Sequence, residues 1–244
     1  MRPSAAGEIG RRNPEWRYRL TRLLKPRRLQ VDGFRLVGWG AGMPKHLAAL
    51  LARGDYEGPE RRAVAAFVRQ GDRVLEIGAC IGLVSLTAAR IVGAENIVVY
   101  EPNPNAAAVA ERNFANNNLR VRLVPRAIDA EQGVRRLSVG FDSWLGASLY
   151  RDLNEIETAV QVDAIAEVMR DVDPTILIID AEGAESSIMA ACPLAGLRAI
   201  IIELHPGVIG ADGAERIRER FRQAGFSPAT AYCEDDTECW VRAS

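Results

Sequence analysis

At 244 residues and 48% hydrophobic, the chain can bury the core of one large domain, or of a domain with an extension. Its 31 Lys and Arg nearly balance 32 Asp and Glu, which excludes a generally basic nucleic-acid binder but not a local basic patch. No apolar run approaches the roughly 18 residues of a membrane span, and the arginine-rich start has no apolar stretch behind it to form a secretory signal. The four cysteines lack CxxC or metal-ligand spacing, which suits reduced thiols; with no span and no secretory signal, the expectation is a cytoplasmic protein without a membrane partner.

Residues 1–58 read as an extension. Asn13-Pro14 has the form of an N-cap followed by proline at the first helical position. Trp16, Leu20, Leu23 and Leu24 then recur at helical spacing, with Arg17, Arg19, Arg22 and Lys25 between them, until Pro26. Such a helix either attracts an acidic partner, an anionic substrate or a membrane surface, or lays its apolar face on the main domain. The modest face favours the second arrangement. Leu29–Val31 and Phe34–Val37 flank Asp32-Gly33 as a hairpin with a type I′ turn. Gly38, Gly40 and Gly42 follow as either a flap over a pocket or a plain linker, and a short helix covers Pro44 to Arg53.

From residue 59, helices and strands alternate at βαβ intervals. A helix is expected over 60–70, a strand over 73–77, a helix from Leu83 to near Gly93, a strand over 96–100, a helix over 106–117 and a strand over 121–124. Right-handed crossovers then gather the strand C-termini on one ligand-binding edge. The first strand runs into Glu76-Ile-Gly-Ala-Cys-Ile-Gly82, where Gly78 and Gly82 let the backbone approach a ligand. Glu101 stands 23 residues after Gly78, near the offset at which a second-strand acid grips a ribose diol. The dinucleotide signature GxGxxG is absent. An acid at Glu76 would repel a pyrophosphate and attract an α-ammonium group, which points to S-adenosylmethionine. Ile128 and Asp129 fall where an adenine would lie, Ile128 packing on the ring and Asp129 accepting from the amino group. Asp129 is equally readable as an ordinary solvated loop acid.

Four runs occur in order: Glu76–Gly82, Tyr100-Glu-Pro-Asn-Pro-Asn105, Ile179-Asp-Ala-Glu-Gly-Ala-Glu185 and Ile202-Glu-Leu-His-Pro206. On these motifs the sequence resembles the FkbM-type S-adenosylmethionine-dependent methyltransferases, from about Tyr56 to Pro206. It departs at Cys80, where the family usually has asparagine, and at Ala166, near an aspartate that often starts a helix. The resemblance implies an α/β class I methyltransferase fold over 59–244: a mostly parallel seven-stranded sheet with helices on both faces. The cofactor contacts expected with it are Glu57, Glu76, Gly78, Ala79, Cys80, Gly82, Leu83, Glu101, Pro102, Asn103, Ile128, Asp129 and Asp180.

In the remaining half, 134–139 is strand-like. The polar-aromatic run 141–149, with Ser143, Trp144 and Ser148, either faces the acceptor or packs on the sheet edge. Residues 152–171 read as mixed, with a helix ending near Arg170. Thr175–Ile179 is apolar enough for the sheet centre. In a methyltransferase-like sheet its end faces the sulfonium, so Asp180 and Glu182 would bind the ammonium end, hold the acceptor or accept its proton. Glu182 and Glu185 could equally be helix-start acids. Strand 199–204 delivers His205, a candidate general base because imidazole titrates near neutrality; His46 has no comparable context. No metal motif is present. Ile217, Phe221 and Ala224 mark a last helix, and Phe226 to Arg242 a closing antiparallel hairpin.

The expected catalytic set is His205, Asp180 and Glu182. The resemblance implies O-methylation of a small-molecule hydroxyl, on a sugar or natural product, with no nucleic-acid partner and a homodimer left open. The competing readings are an N-methylating or macromolecule-modifying enzyme docked by the basic helix, and a non-catalytic cofactor-binding module.

Overall fold

A computed structural model describes residues 9–40, 42–139, 147–149 and 156–242. The extension holds α1 (Glu15–Leu24), the hairpin β1 (Arg28–Val31) and β2 (Phe34–Val37), and α2 (Lys45–Arg53). The nucleotide-binding half follows as α3 (Gly58–Phe67), β3 (Val74–Ile77), α4 (Leu83–Val92), β4 (Ile97–Tyr100), α5 (Pro104–Asn116) and β5 (Arg122–Val124). Next come β6 (Ala127–Asp129), β7 (Gly133–Val139), β8 (Ile156–Ala164) and α6 (Ile165–Val172). The chain closes with β9 (Ile176–Ile179), α7 (Glu185–Ala191), β10 (Ala199–Glu203), α8 (Pro206–Ile209), α9 (Ala211–Gln223), β11 (Phe226–Pro228) and β12 (Thr237–Arg242).

The main sheet has seven strands in the order β11-β12-β10-β9-β3-β4-β5. The five from β10 to β5 pair in parallel, β12 runs antiparallel to them, and β11, antiparallel to β12, runs in their direction again. Every residue of β3 and β9 is buried, as expected of central strands covered on both faces; β9 is wholly apolar, and β3 is apolar except for Glu76. The chain leaves β3 toward β4 on one side and comes back to β9 on the other. The C-terminal ends of β3 and β9 are therefore the topological switch point, where such sheets bind ligands.

The extension is built into this body. Leu29, Phe34, Leu36, Leu47 and Leu51 share one core with Ile81, Leu83, Leu86 and Phe114. Buried Asn113 accepts from the Val37 amide and donates to the Ile81 carbonyl, tying hairpin to glycine turn. Asp32 and Gly33 both have positive φ, as a type I′ turn demands. Trp39 and Met43 are buried in this core, so the glycine-rich run is a packed connection rather than a flap.

Three expectations are corrected. The α3 helix ends at Phe67 instead of running to residue 70, because Val68 turns extended to enter β3. The stretch read as mixed contains β8, whose alternating exposure of 157–162 forms a second sheet of order β6-β8-β7. Asp163, near the end of β8 and two residues before α6, pairs with Arg126 at 2.8 Å. The apolar face of α1 does not pack on the domain: Trp16, Leu20, Leu23 and Leu24 are all exposed. All four cysteines are free, and no described helix is long and apolar enough to cross a membrane.

Candidate active site

A cleft opens at the switch point, walled by the ends of β3, β4 and β9, by Tyr56 from the extension, and by Leu137, Ala147 and Leu149 from the second sheet and the segment after it. Of the residues expected at the cofactor, Gly78, Cys80, Glu101, Pro102, Ile128 and Asp180 line it. Glu101 is buried, with its two oxygens accepting from the Cys80 and Asn103 amides at 2.7 Å each. Burial pushes its carboxyl up to about 7, against the pull of those two donors. Cys80 holds φ 45° in the left-handed region, so its amide rather than its side chain reaches Glu101.

Other expected contacts stand behind the wall. Glu76 lies on the strand face shared with Val74, under α3 and α4, and not in the cleft; strand alternation sends it there. Burial pushes its carboxyl up to about 8, with Ser85 offsetting only part. Its Oε2, like Glu57 Oε2, is buried without a hydrogen-bond partner. Asn103 caps α5 through the Asn105 amide. Asp129 accepts from Ser187 and from the Ala130 amide through Oδ1, and it does not line the cleft. Ala79 and Leu83 are buried in cores. Gly78 and Gly82 serve protein packing. A Cβ on Gly78 would sit 1.7 Å from the Asp180 carbonyl oxygen, and one on Gly82 2.6 Å from the Phe114 ring.

Since a proton on Glu76 is kept when folded and shed when unfolded, stability falls as pH rises from the ordinary 4.5 toward about 8. Glu76→Gln is expected to leave thermal stability nearly unchanged at pH 4.5 and to raise Tm at pH 8; a constant difference across that range would contradict the assignment.

At the β9 end, His205 sits within a ring of carboxylates. Its Nδ1 lies 2.8 Å from Glu185 Oε1, and its Nε2 lies 3.2 Å from Glu182 Oε2, 3.8 Å from Asp180 Oδ1 and 4.0 Å from Glu203 Oε1. Glu185 is fully buried and also accepts from the Ala181 and Gly183 amides, so it is fixed in place and fixes the imidazole. With Nδ1 against this carboxylate, Nε2 is the ring nitrogen that faces Asp180 and Glu182. Asp180 and Glu182 line the cleft, and His205 stands directly behind them. Ser148 is buried, and its hydroxyl donates to the Glu182 carbonyl at 2.6 Å; it braces the turn instead of facing an acceptor. Ser143 and Trp144 lie outside the described residues.

Burial alone would lower the His205 pKa, but the Glu185 hydrogen bond and the charges of Glu185, Glu182 and Glu203 outweigh it and raise it above 6.5. Burial and Glu60 push Glu203 up to about 7, with His205 pulling the other way, and burial with Glu203 and Glu182 raises Asp180. If neutral His205 takes a proton, the rising limb of the rate–pH profile lies above 6.5 and moves to lower pH in Glu185→Gln. An unmoved limb in that variant would exclude His205 as the group observed. Glu185, Glu203 and Tyr56 were not in the expected set. Period-two spacing in Glu203-Leu-His205 was the available signal for the second. The first and third are placed by tertiary packing alone.

Ligand atoms of Asp180, Glu203 and His205 lie within 4.8 Å of one another, the one group among the described residues spaced to hold a metal ion. At the same end, Glu57 Oε2 and Asp180 Oδ1 are buried without a hydrogen-bond partner, an acceptor pair fitted to a cationic amino group. With Glu101 at the tip of β4, these acceptors suit the amino group and the ribose hydroxyls of S-adenosylmethionine.

A switch-point cleft with acids at the ends of β3's neighbours, on a sheet closed by antiparallel β12 and β11, defines a class I methyltransferase. Residues 76–228 match the family described as the methyltransferase FkbM domain. The match spans more than half of the chain, and the chain belongs to that family: it is an S-adenosylmethionine-dependent methyltransferase. Among solved structures it is similar to precorrin-6y C5,15-methyltransferase from Geobacter metallireducens GS-15, at 16% identity over 74% of this chain and 85% of that one, TM-score 0.44. An rRNA methylase from Streptococcus thermophilus matches at 9% identity over 77% and 96%, TM-score 0.45. An O-methyltransferase from Bacillus cereus in complex with SAH matches at 14% identity over 75% and 80%, TM-score 0.43. Likeness at this level distinguishes neither substrate nor target atom. No curated protein matches the sequence.

Proposed function

We propose that the enzyme methylates a hydroxyl of a small molecule, such as a sugar or a natural product, inside the cell, where its four free thiols stay reduced. The observation that carries this reading is the Glu185–His205–Glu182 chain. A hydroxyl must lose its proton as it attacks, and these groups offer a path for that proton. Bound S-adenosylmethionine supplies the electrophilic methyl group. Glu182, in the cleft wall, holds the acceptor hydroxyl, beside Asp180, which faces the cofactor's amino group. Glu182 takes the proton and passes it to His205 Nε2, 3.2 Å away, while Glu185 stabilises the imidazolium through Nδ1. Leu137, Ala147 and Leu149 form an apolar wall that excludes water from the reacting end.

The test is turnover with methyl-labelled S-adenosylmethionine and a panel of sugars, polyols and aromatic or macrocyclic alcohols beside matched amines. The methyl is expected on oxygen, and transfer to amines alone would overturn the reading. A chelator in the same assay separates two roles for the cluster. Unchanged turnover is expected of a proton acceptor; loss restored by Mg²⁺ or Mn²⁺ would make Asp180, Glu203 and His205 metal ligands instead.

A further inference from the structure

The α1 helix carries its apolar stripe on the side facing away from the protein. Trp16, Leu20, Leu23 and Leu24 are 69%, 49%, 78% and 67% exposed, and they fall at i, i+4, i+7 and i+8 on one face. Tyr18 and Thr21, from the opposite side, are the helical residues turned inward, and the Arg53 guanidinium lies 5.7 Å from the Tyr18 ring centroid. Among the described residues, the only other large apolar side chains this exposed are Val134 and Tyr232, so the exposure is concentrated on one helix. Around the stripe stand Arg17, Arg19, Arg22, Lys25, Arg27 and Arg28 against one acid, Glu15, which pairs with Arg19 at 2.8 Å. The whole chain has a net charge of −1, so this segment is basic against an acidic remainder.

We propose that α1 docks the enzyme onto an anionic membrane surface, with Trp16 and the three leucines entering the headgroup region. Arg17 and Arg19 flank the stripe on its two sides, the placement in which long basic side chains bury their stems and reach lipid phosphates. A second copy of the chain does not fit the same face, because pairing two such helices would bring two sets of like charges together. Nucleic acid would be matched by the arginines but leaves three exposed leucines unused. The proposal departs from the expectation of no membrane partner because the apolar face is exposed rather than packed. Docking would set the cleft near the lipid surface. Asn13, just before α1, bonds to the carbonyls of Ala52 and Arg53 at the end of α2, three residues ahead of cleft-lining Tyr56.

The test is co-sedimentation of the full chain with phosphatidylcholine vesicles and with vesicles containing phosphatidylglycerol, at low and high salt. Binding is expected to the anionic vesicles only, weakening with salt. The double variant L20E/L23E should abolish it, and R17E/R22E should weaken it at least roughly five-fold per arginine removed. All four positions are exposed and outside the cleft, so both variants should bind S-adenosylmethionine as the wild type does. No binding to anionic vesicles, or binding unchanged in L20E/L23E, would overturn the proposal. So would tighter binding to RNA or DNA that survives L20E/L23E, or self-association that this variant abolishes in the absence of lipid.

Discussion

His205→Ala is expected to lower kcat by about 10²–10⁴-fold, the range for loss of a positioned general base, with S-adenosylmethionine affinity nearly unchanged. The split follows from where the ring stands. His205 is outside the cleft wall, behind Asp180 and Glu182, so its removal takes away the proton's destination and little of the cofactor's contact surface. The loss should fall on kcat and kcat/KM alike, because the proton moves only in the transition state. Isothermal titration calorimetry with S-adenosylmethionine beside steady-state kinetics makes the check. Equal loss of cofactor affinity would mean that His205 holds the site together. Retained turnover would place the base elsewhere.

Gly78→Ala is expected to be the most destabilising single methyl addition in the cofactor turn. The residue has φ 87°, a region that costs an L side chain about 1–2 kcal/mol. Its Cβ would also meet the Asp180 carbonyl at 1.7 Å, a backbone group that cannot rotate away, and overpacking adds about 1–3 kcal/mol. The sum is a large share of the 5–15 kcal/mol that holds a typical domain folded. Because the clash lies between the ends of β3 and β9, any molecules that do fold should bind the cofactor poorly. Chemical denaturation of the variant, against Gly71→Ala as a positive-φ control with open space around its Cβ, separates clash from backbone strain. Equal losses in the two would contradict the close-approach account.

The parts of the fold most legible in the sequence were those governed by short-range rules. Apolar strands ending in acids gave the switch-point edge, and Glu101, Asp180 and Glu182 line the cleft because each lies at or just beyond the end of a parallel strand. Glu76 shows where that logic fails. It is inside β3, and the alternation of side chains sends it under α4, so an acid beside the turn is not an acid in the site. The glycines were rightly seen as close-approach points, but the approaching atoms belong to Asp180 and Phe114. The sequence leaves Glu185 open between a site acid and a helix-start acid, since its bond to His205 depends on how the ends of β9 and β10 lie together. The exposed face of α1 had an apolar pattern indistinguishable from a packed one; only the tertiary arrangement shows which way it points.

The most direct test of the account is a crystal structure with S-adenosylhomocysteine. The account predicts the ribose hydroxyls on Glu101, the amino group on Glu57 and Asp180, and the sulfur directed at the Asp180–Glu182 turn with His205 behind it. A nucleoside bound away from Glu101, or a sulfur turned away from the carboxylates around His205, would contradict it.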